Sequence, residues 1–325
     1  MKIAFFETQP WEEKYLSEKL KKHTLLFFEH PITDKDLPKI KDCDALSVFI
    51  YSKVGKNILE NLPKLKIIAT RSTGFDHIDV EDCKKRKITL THVPLYGENT
   101  VAEHAFALIL SLSRNIHKSY VRTQKDDFSI EGLTGFDLKD KTLGLIGGGS
   151  IGMHLARMAK GFQMKVIVYD IIHNKKLAKE IGFKYVALDF LLKNSEIISL
   201  HVPHNKFTHH MINKDNLRLV KKGAILINTS RGGVVETEAL LPALKNGTLG
   251  GLGLDVIEGE DLFKKQSLGE INPEQQREIS SAHALFKMNN VIFTSHNAFN
   301  SKEALIRILD STVSNLTSSK KQIVK

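Results

Sequence analysis

Two observations on the sequence predict an α/β protein built from two parallel-sheet domains. Short apolar runs bounded by turns alternate with helix-length segments, which is the pattern of parallel sheets covered by helices on both faces. The chain also has 325 residues, more than one hydrophobic core usually organises. The runs are KIAFF, TLLFF, ALSVFI, KIIAT and KITLT before residue 92, and TLGLI, KVIVY, EIISL, GAILIN and NVIFT after residue 140.

A long helix is predicted between the two groups of strands, over residues 100–124. Thr100 and Glu103 have the spacing of a capping box, which marks a helix start. Apolar residues then recur at helical spacing along one face: Ala102, Ala105, Ile109, Leu112 and Ile116. Residues 261–289 are polar with weak periodicity and indicate an elaborated loop with a short helix. Residues 301–318 again have helical spacing.

The net charge of +10 is high enough for a nucleic-acid binder. The lysines, however, are scattered in pairs, and no basic stripe with interleaved aromatic residues occurs. We therefore expect no nucleic-acid partner. No apolar run approaches the roughly 18 residues that cross a bilayer, and the first residues turn acidic after one apolar pentad. We expect no membrane partner and a cytoplasmic location.

The two cysteines, Cys43 and Cys83, form neither a ligand-spaced cluster nor a disulfide framework. This usage fits a reducing compartment. We expect no bound metal.

A glycine turn at residues 147–152 has the pattern of a dinucleotide site. In G-x-G-x-x-G the first glycine permits a tight turn, the second lets backbone approach a pyrophosphate, and the third lets the helix pack on the strand. Here these are Gly147, Gly149 and Gly152, and Asp170 ends the following strand, where a carboxylate can bind ribose hydroxyls. The alternative is a glycine-rich turn without a cofactor. Asp170 favours NAD over NADP because it would repel a 2'-phosphate.

Three polar residues follow predicted strands, at the edge where open α/β sheets bind ligands. Arg231 follows GAILIN and could grip a carboxylate in a planar fork, or could be a surface arginine in a turn. Glu260 lies in the loop beyond the strand that ends at Asp255. It could equally be an ordinary surface carboxylate. His296 lies just past NVIFT, although a single histidine among 14 has no decisive weight alone.

Seven motifs, taken together, resemble the D-isomer-specific 2-hydroxyacid dehydrogenase family, and in particular its NAD-dependent D-lactate dehydrogenases. They are RSTGFDHID, VPLYGENTVAEHAF, GGGSIG, HVP, INTSRGG, GLGLDVIEGE and TSHNAF. The resemblance implies NAD-dependent reduction of a small 2-oxo acid to the D-2-hydroxy acid, with pyruvate to D-lactate as the foremost reaction. It also implies that Arg231 anchors the substrate carboxylate, that His296 donates the proton, and that Glu260 orients His296.

The resemblance extends to cofactor and substrate contacts. The implied NAD-binding residues are Gly147, Gly149, Ser150, Ile151, Gly152, Asp170, Val202, Pro203, Thr208, Thr229, Ser230 and Asp255. The implied substrate-binding residues are Tyr51, Thr73, Gly74, Tyr96, Arg231 and Phe299. Many relatives have tyrosine where this chain has Asn300, so the width of the pocket stays open.

The domain organisation implied by the resemblance is discontinuous. Residues 1–99 and 297–325 would form a flavodoxin-like substrate domain, and residues 100–296 a Rossmann NAD-binding domain. The predicted helix over 100–124 would lie at a homodimer interface. Two alternatives remain: a glyoxylate or hydroxypyruvate reductase with the same three catalytic residues, and an NAD-sensing binding protein that shares the fold.

Overall fold

The computed structural model describes residues 1–260, 262–263, 271–318 and 322–324. They divide into two compact units. The first comprises Met1–Tyr96 and Ser301–Lys325, and the second comprises Gly97–Asn300. Both are α/β units with wholly parallel sheets, as the apolar runs predict.

The first unit holds a five-stranded sheet in the order β2-β1-β3-β4-β5, which is the flavodoxin-like order. Its strands are β1 (Lys2–Phe6), β2 (Thr24–Phe28), β3 (Ala45–Val48), β4 (Ile67–Thr70) and β5 (Thr89–Thr91). Its helices are α1 (Pro10–Lys19), α2 (Leu37–Ile40), α3 (Lys56–Glu60), α4 (Val80–Lys85) and, from the end of the chain, α13 (Lys302–Thr317). The last of these confirms the helix predicted over 301–318.

Alternation along the strands divides the interior of this unit into two cores. In β1, Ile3 and Phe5 pack into one core while Ala4 and Phe6 pack into the other. Successive side chains of a strand point to opposite faces, so a strand covered on both sides must be apolar throughout. This explains why KIAFF shows no polar alternation.

The second unit holds a seven-stranded sheet in the order β12-β11-β10-β9-β6-β7-β8. This is the Rossmann order with one strand added at the edge. The strands are β6 (Thr142–Ile146), β7 (Lys165–Tyr169), β8 (Lys184–Tyr185), β9 (Ile197–Leu200), β10 (Ala224–Asn228), β11 (Leu249–Leu254) and β12 (Val291–Phe293). The helices are α5 (Glu98–Ser113), α6 (Ile116–Thr123), α7 (Ser150–Gly161), α8 (Lys175–Ile181), α9 (Leu188–Asn194), α10 (Lys214–Leu217), α11 (Thr237–Lys245) and α12 (Pro273–Phe286).

The single helix predicted over residues 100–124 is wrong in two respects. It begins at Glu98 with Gly97 as its cap, so Thr100 lies buried inside the first turn and is not the capping residue. It is also broken at Asn115, whose φ of 52° is left-handed, a conformation that asparagine tolerates better than most residues. The side-chain amide of Asn115 donates to the carbonyls of Leu133 and Thr134. Beyond the break, Ile116 is exposed and does not continue the apolar face.

The segment 261–289 contains more helix than its weak periodicity predicts. Helix α12 has 14 residues and begins at Pro273, after the capping residue Asn272, whose side chain accepts from the amide of Gln275. Residues 261 and 264–270 of that segment lie outside the described residues. Among the described parts of the chain, no helix has the length and apolarity needed to cross a membrane.

Candidate active site

The glycine turn between β6 and α7 can be built only from glycine at its two packed positions. Gly147 has φ of 105°, and a Cβ there would lie 2.4 Å from the carbonyl oxygen of His201. A Cβ on Gly152 would lie 2.2 Å from the carbonyl oxygen of Gly147. Both contacts are far inside van der Waals distance. The turn therefore packs against the end of β9, which is where the strand order of the sheet reverses.

The same turn is open on the side where a pyrophosphate would bind. A Cβ built on Gly149 meets nothing within 4 Å, and Ser150 is exposed at the first turn of α7. The amides at this helix end point toward the open side, with the positive end of the helix dipole. Asp170 accepts from the Gly148 amide at 2.6 Å and from the Ile172 amide at 2.8 Å, which holds its carboxylate beside the turn. These residues fit a dinucleotide.

A second opening lies after β10. Thr229 is only 8% exposed. Its hydroxyl is the one buried side-chain oxygen among the described residues that has no hydrogen-bond partner. Unpaired buried hydroxyls are uncommon and costly, so such an atom indicates a place where a ligand supplies the partner. Next to it, Asn228 accepts from the Ser230 amide and donates to the Arg231 carbonyl, which fixes the turn that presents Arg231.

The loop that carries Arg231 lies against the loop that carries Glu260. A Cβ on Gly232 would lie 2.2 Å from the carbonyl carbon and oxygen of Ile257, so only glycine allows this approach. The two loops follow the neighbouring strands β10 and β11. The Arg231 side chain is partly buried, and its Nη1 donates to the Ser230 carbonyl at 2.8 Å.

His296 and Glu260 form a hydrogen-bonded pair. His296 Nδ1 lies 2.7 Å from Glu260 Oε1, with side-chain exposures of 20% and 33%. An ionised carboxylate can only accept, so Nδ1 carries the hydrogen and Nε2 is the nitrogen that can exchange a proton with a substrate. The pair thus has the parts of a general acid–base group.

The backbone of His296 is left-handed, with φ of 52°, and Asp255 holds it there. The His296 amide donates to the Asp255 carbonyl at 2.8 Å. The Asp255 carboxylate, 1% exposed, accepts from the amides of Asn297 and Ala298 and from the Thr294 hydroxyl. Asp255 therefore positions the loop that carries His296; the cofactor contact that the resemblance implies for Asp255 stays a prediction.

His104 is a residue of this region that sequence reasoning did not single out. It projects from α5, and its Nε2 lies 3.0 Å from the Thr294 hydroxyl and 3.4 Å from Asp255 Oδ1. It belongs to the AEHAF motif, but nothing in that motif says that its partner lies 190 residues further along.

The segment after β9 holds three more predicted cofactor residues. Val202 is partly buried and Pro203 is exposed. The Thr208 hydroxyl donates to the Pro203 carbonyl at 2.6 Å and accepts from the Asn205 amide, so this side chain shapes its own loop. His201 precedes them, and burial lowers its pKa to about 4.

Four of the predicted substrate residues lie in the first unit. Tyr51 is 38% exposed, and its amide donates to Glu7 at 3.0 Å. Thr73 is exposed, with its hydroxyl bonded to the Val93 carbonyl, and Gly74 and Tyr96 are partly buried.

The other aromatic candidate, Phe299, is partly buried in the second unit. Next to it, Asn300 is exposed and bonds the Asn297 side chain at 2.9 Å. The same-edge grouping predicted for Arg231, Glu260 and His296 thus has a structural basis in the second unit, where their loops follow β10, β11 and β12.

Comparison with protein-family models gives one match relevant to this site. Residues 106–298 match the model described as "D-isomer specific 2-hydroxyacid dehydrogenase, NAD binding domain". The matched range contains the glycine turn, the Asp255 network and the His296–Glu260 pair.

Similar proteins extend the match to nearly the whole chain. The chain is 37% identical to D-lactate dehydrogenase of Escherichia coli (strain K12) over 327 residues, which is 99% of this chain and 97% of that protein. It is 43% identical to glyoxylate reductase of Thermococcus litoralis over 267 residues, covering 80% of this chain and 75% of that protein.

Solved structures give the same picture. The D-lactate dehydrogenase of Aquifex aeolicus, complexed with NAD and lactic acid, has a TM-score of 0.88 and 39% identity, with 97% of this chain and 94% of that chain covered. Similarity at this level covers both sheets.

Proposed function

This chain belongs to the D-isomer-specific 2-hydroxyacid dehydrogenase family and is an NAD-dependent oxidoreductase, and we propose that its reaction is the reduction of pyruvate to D-lactate. The observation that carries the chemistry is the 2.7 Å pair of His296 and Glu260 on a loop held by Asp255. Similarity to two D-lactate dehydrogenases over nearly the full chain supports pyruvate as the substrate.

His296 acts as the proton donor in this proposal. Its protonated ring gives the Nε2 proton to the ketone oxygen as that oxygen gains charge, and in the reverse direction the neutral ring takes the proton back. Glu260 bonds the other nitrogen, fixes the direction of the ring and stabilises its positive charge. The bound cofactor supplies the hydride.

Arg231 binds the substrate carboxylate and polarises the ketone. Its planar guanidinium can make two parallel hydrogen bonds to a carboxylate, which lysine cannot reproduce. The Asn228 bonds fix the backbone of this turn, and the bond from Arg231 Nη1 to the Ser230 carbonyl restrains the side chain, so less ordering is needed when substrate binds.

The glycine turn, Asp170 and the Thr229 hydroxyl bind NAD. The open side of Gly149 and the unpaired Thr229 oxygen are the two features that support this assignment. The remaining residues assigned to NAD by resemblance are Ser150, Ile151, Val202, Pro203, Thr208, Ser230 and Asp255. Substrate contacts are assigned likewise to Tyr51, Thr73, Gly74, Tyr96 and Phe299.

Residues 1–99 and 297–325 are proposed as the substrate domain, and 100–296 as the NAD-binding domain. A homodimer is also proposed, because family members generally form one. The two cysteines are buried and free, and burial raises the pKa of each thiol to about 11. Unreactive free thiols suit a reducing compartment, so we place the protein in the cytoplasm.

Glyoxylate is the second candidate substrate. It is supported by the 43% identity to a glyoxylate reductase. The two substrate hypotheses are distinguished by measuring NADH oxidation with pyruvate, glyoxylate, hydroxypyruvate, 2-oxobutyrate and phenylpyruvate. We expect the highest kcat/KM with pyruvate. A higher value with glyoxylate or hydroxypyruvate would replace the substrate and keep the catalytic residues.

A further inference from the structure

Three histidines and a glutamate gather beside the two catalytic loops, outside the site described above. His204, His209 and His210 lie after β9, and Glu258 lies two residues before Glu260. His204 Nε2 is 3.1 Å from His209 Nδ1, and His210 Nε2 is 2.7 Å from Glu258 Oε1. One possible ligand atom from each of His209, His210 and Glu258 lies within 4.8 Å of the others.

This set of side chains has the chemistry of a site for a borderline transition-metal ion. Imidazole nitrogens with one carboxylate suit Zn²⁺, Ni²⁺ or Cu²⁺, and an all-oxygen site would suit Mg²⁺ or Ca²⁺ instead. Tetrahedral zinc, with bonds of about 2.0–2.1 Å, places neighbouring ligand atoms about 3.3 Å apart. The 3.1 Å separation of His204 Nε2 and His209 Nδ1 is close to that spacing, and the ligand atoms of His209, His210 and Glu258 lie within 4.8 Å of one another.

The backbone beneath the cluster is fixed, so the ligands are partly arranged in advance. The His210 amide donates to the Gly233 carbonyl at 2.9 Å. The ring of His204 packs so closely on Gly233 that a Cβ there would lie 2.8 Å from it. Hydrogen bonds of Thr208 and Asn205 hold the turn between the histidines. His204 and His209 are exposed, which gives an ion a direct path from solvent.

The competing explanation is a set of ordinary surface hydrogen bonds. It accounts for the pair of His210 and Glu258, which is a common motif. It also accounts for His204 and His209, because one neutral ring can donate to the other. It does not explain why ligand atoms of His209, His210 and Glu258, from loops after two different strands, lie within 4.8 Å of one another. A shared metal ion explains that grouping.

We propose that His204, His209, His210 and Glu258 form a binding site for one divalent transition-metal ion of the zinc class. The ion links the loop after β9 to the loop after β11. Sequence spacing indicates no such site, because its fourth ligand is 48 residues from His210. The proposal is independent of the substrate, since it concerns residues that are assigned no part in the reaction.

The test is calorimetric titration of the tag-free, full-length chain with zinc chloride, after treatment with a chelator. We expect about one ion per chain for the wild type. His209→Ala and Glu258→Gln should each weaken binding by about tenfold or more, since each removes one ligand. His30→Ala is the matched control, because His30 lies 3.7 Å from Asp36 in the first unit, outside the cluster, and this variant should bind as the wild type does.

Circular dichroism of each variant shows that the fold is retained, and thermal unfolding with and without zinc gives a second readout. Ligand that binds only the folded chain raises Tm, so zinc should raise the Tm of the wild type and of His30→Ala more than that of the other two. Absence of binding to the wild type, or equal affinity in all four proteins, would overturn the proposal. Neither result depends on turnover of any 2-oxo acid.

Discussion

Two arginines that follow strands of the two sheets differ in their burial and in their hydrogen bonds. Arg71 follows β4 directly, is 1% exposed, and donates to the carbonyls of Phe6 and Glu7 and to the Ser47 hydroxyl. Arg231 follows β10 by three residues and is only partly buried. A position at a strand end therefore does not by itself distinguish a buried structural arginine from one with the substrate-binding role proposed for Arg231. Gly232, next to Arg231, allows close approach of the loop after β11, whereas Ser72 follows Arg71.

Burial of Arg71 and of the carboxylates near it disfavours their charged forms. Burial lowers the pKa of Arg71 and raises that of Glu12, although each charge opposes the shift of the other. Glu7 accepts from the amides of Phe49 and Tyr51 and from the Ser52 hydroxyl. The Glu7 carboxylate thus fixes the backbone around Tyr51.

The largest expected effect is on the proton donor. His296→Ala should lower kcat for pyruvate reduction by roughly 10²- to 10⁴-fold, because no other group at that position can donate the proton. Stopped-flow or steady-state NADH oxidation measures it, with urea unfolding as the control for stability. Turnover within tenfold of the wild type would remove His296 from the mechanism.

The arginine comparison itself can be broken by one substitution at each site. Arg71→Met should destabilise the fold by about 3–5 kcal/mol, because it leaves the carbonyls of Phe6 and Glu7 and the Ser47 hydroxyl without their donor. Arg231→Met should change stability by less than about 1 kcal/mol and lower kcat/KM by about 10²-fold. Urea unfolding and steady-state kinetics on both variants give the four numbers. If Arg231→Met is the less stable protein and remains active, the roles are reversed.

The two glycine loops sharpen the comparison further. Gly232→Ala places a Cβ 2.2 Å from the Ile257 backbone and should cost about 1–3 kcal/mol of stability as well as activity, because the catalytic loops are forced apart. Gly149→Ala meets nothing within 4 Å and should leave stability within about 0.5 kcal/mol while raising the KM for NADH. Equal loss of stability in both would show that the close approach of the loops is not what requires Gly232.

The smallest effect concerns pH. His201 has a folded pKa of about 4 against 6.5 for the free side chain, so the unfolded chain binds the extra proton first. The stability that this difference gives is complete above pH 6.5 and is lost as the pH falls toward 4. His201→Asn should flatten the wild-type decline over this interval by about 1–2 kcal/mol. Urea unfolding at several pH values checks it, and parallel profiles for the two proteins would exclude His201 as the cause.

The sequence predicts the sheets well because their signal is local. Each of the ten apolar runs contains a strand, and their continuous apolarity reflects burial on both faces. Strand β8 is missed because two residues make no run. The break at Asn115 is missed because helical periodicity does not report a single left-handed residue.

The sequence singles out the candidate site residues but not the contacts that hold their loops in place. Arg231, Glu260 and His296 stand out by motif. The approach of Gly232 to Ile257 and the bonds of Asp255 and His104 join distant segments, so no spacing rule reveals them. Such non-local contacts are set by the stacking of the strands.

The central claim is that these loops reduce a 2-oxo acid stereospecifically with NADH. The most direct measurement is chiral analysis of the product formed from pyruvate and NADH by the purified, full-length chain. The account predicts D-lactate as the product and a higher kcat/KM with NADH than with NADPH. Formation of L-lactate, or no product with NADH from pyruvate or any other small 2-oxo acid, would contradict it.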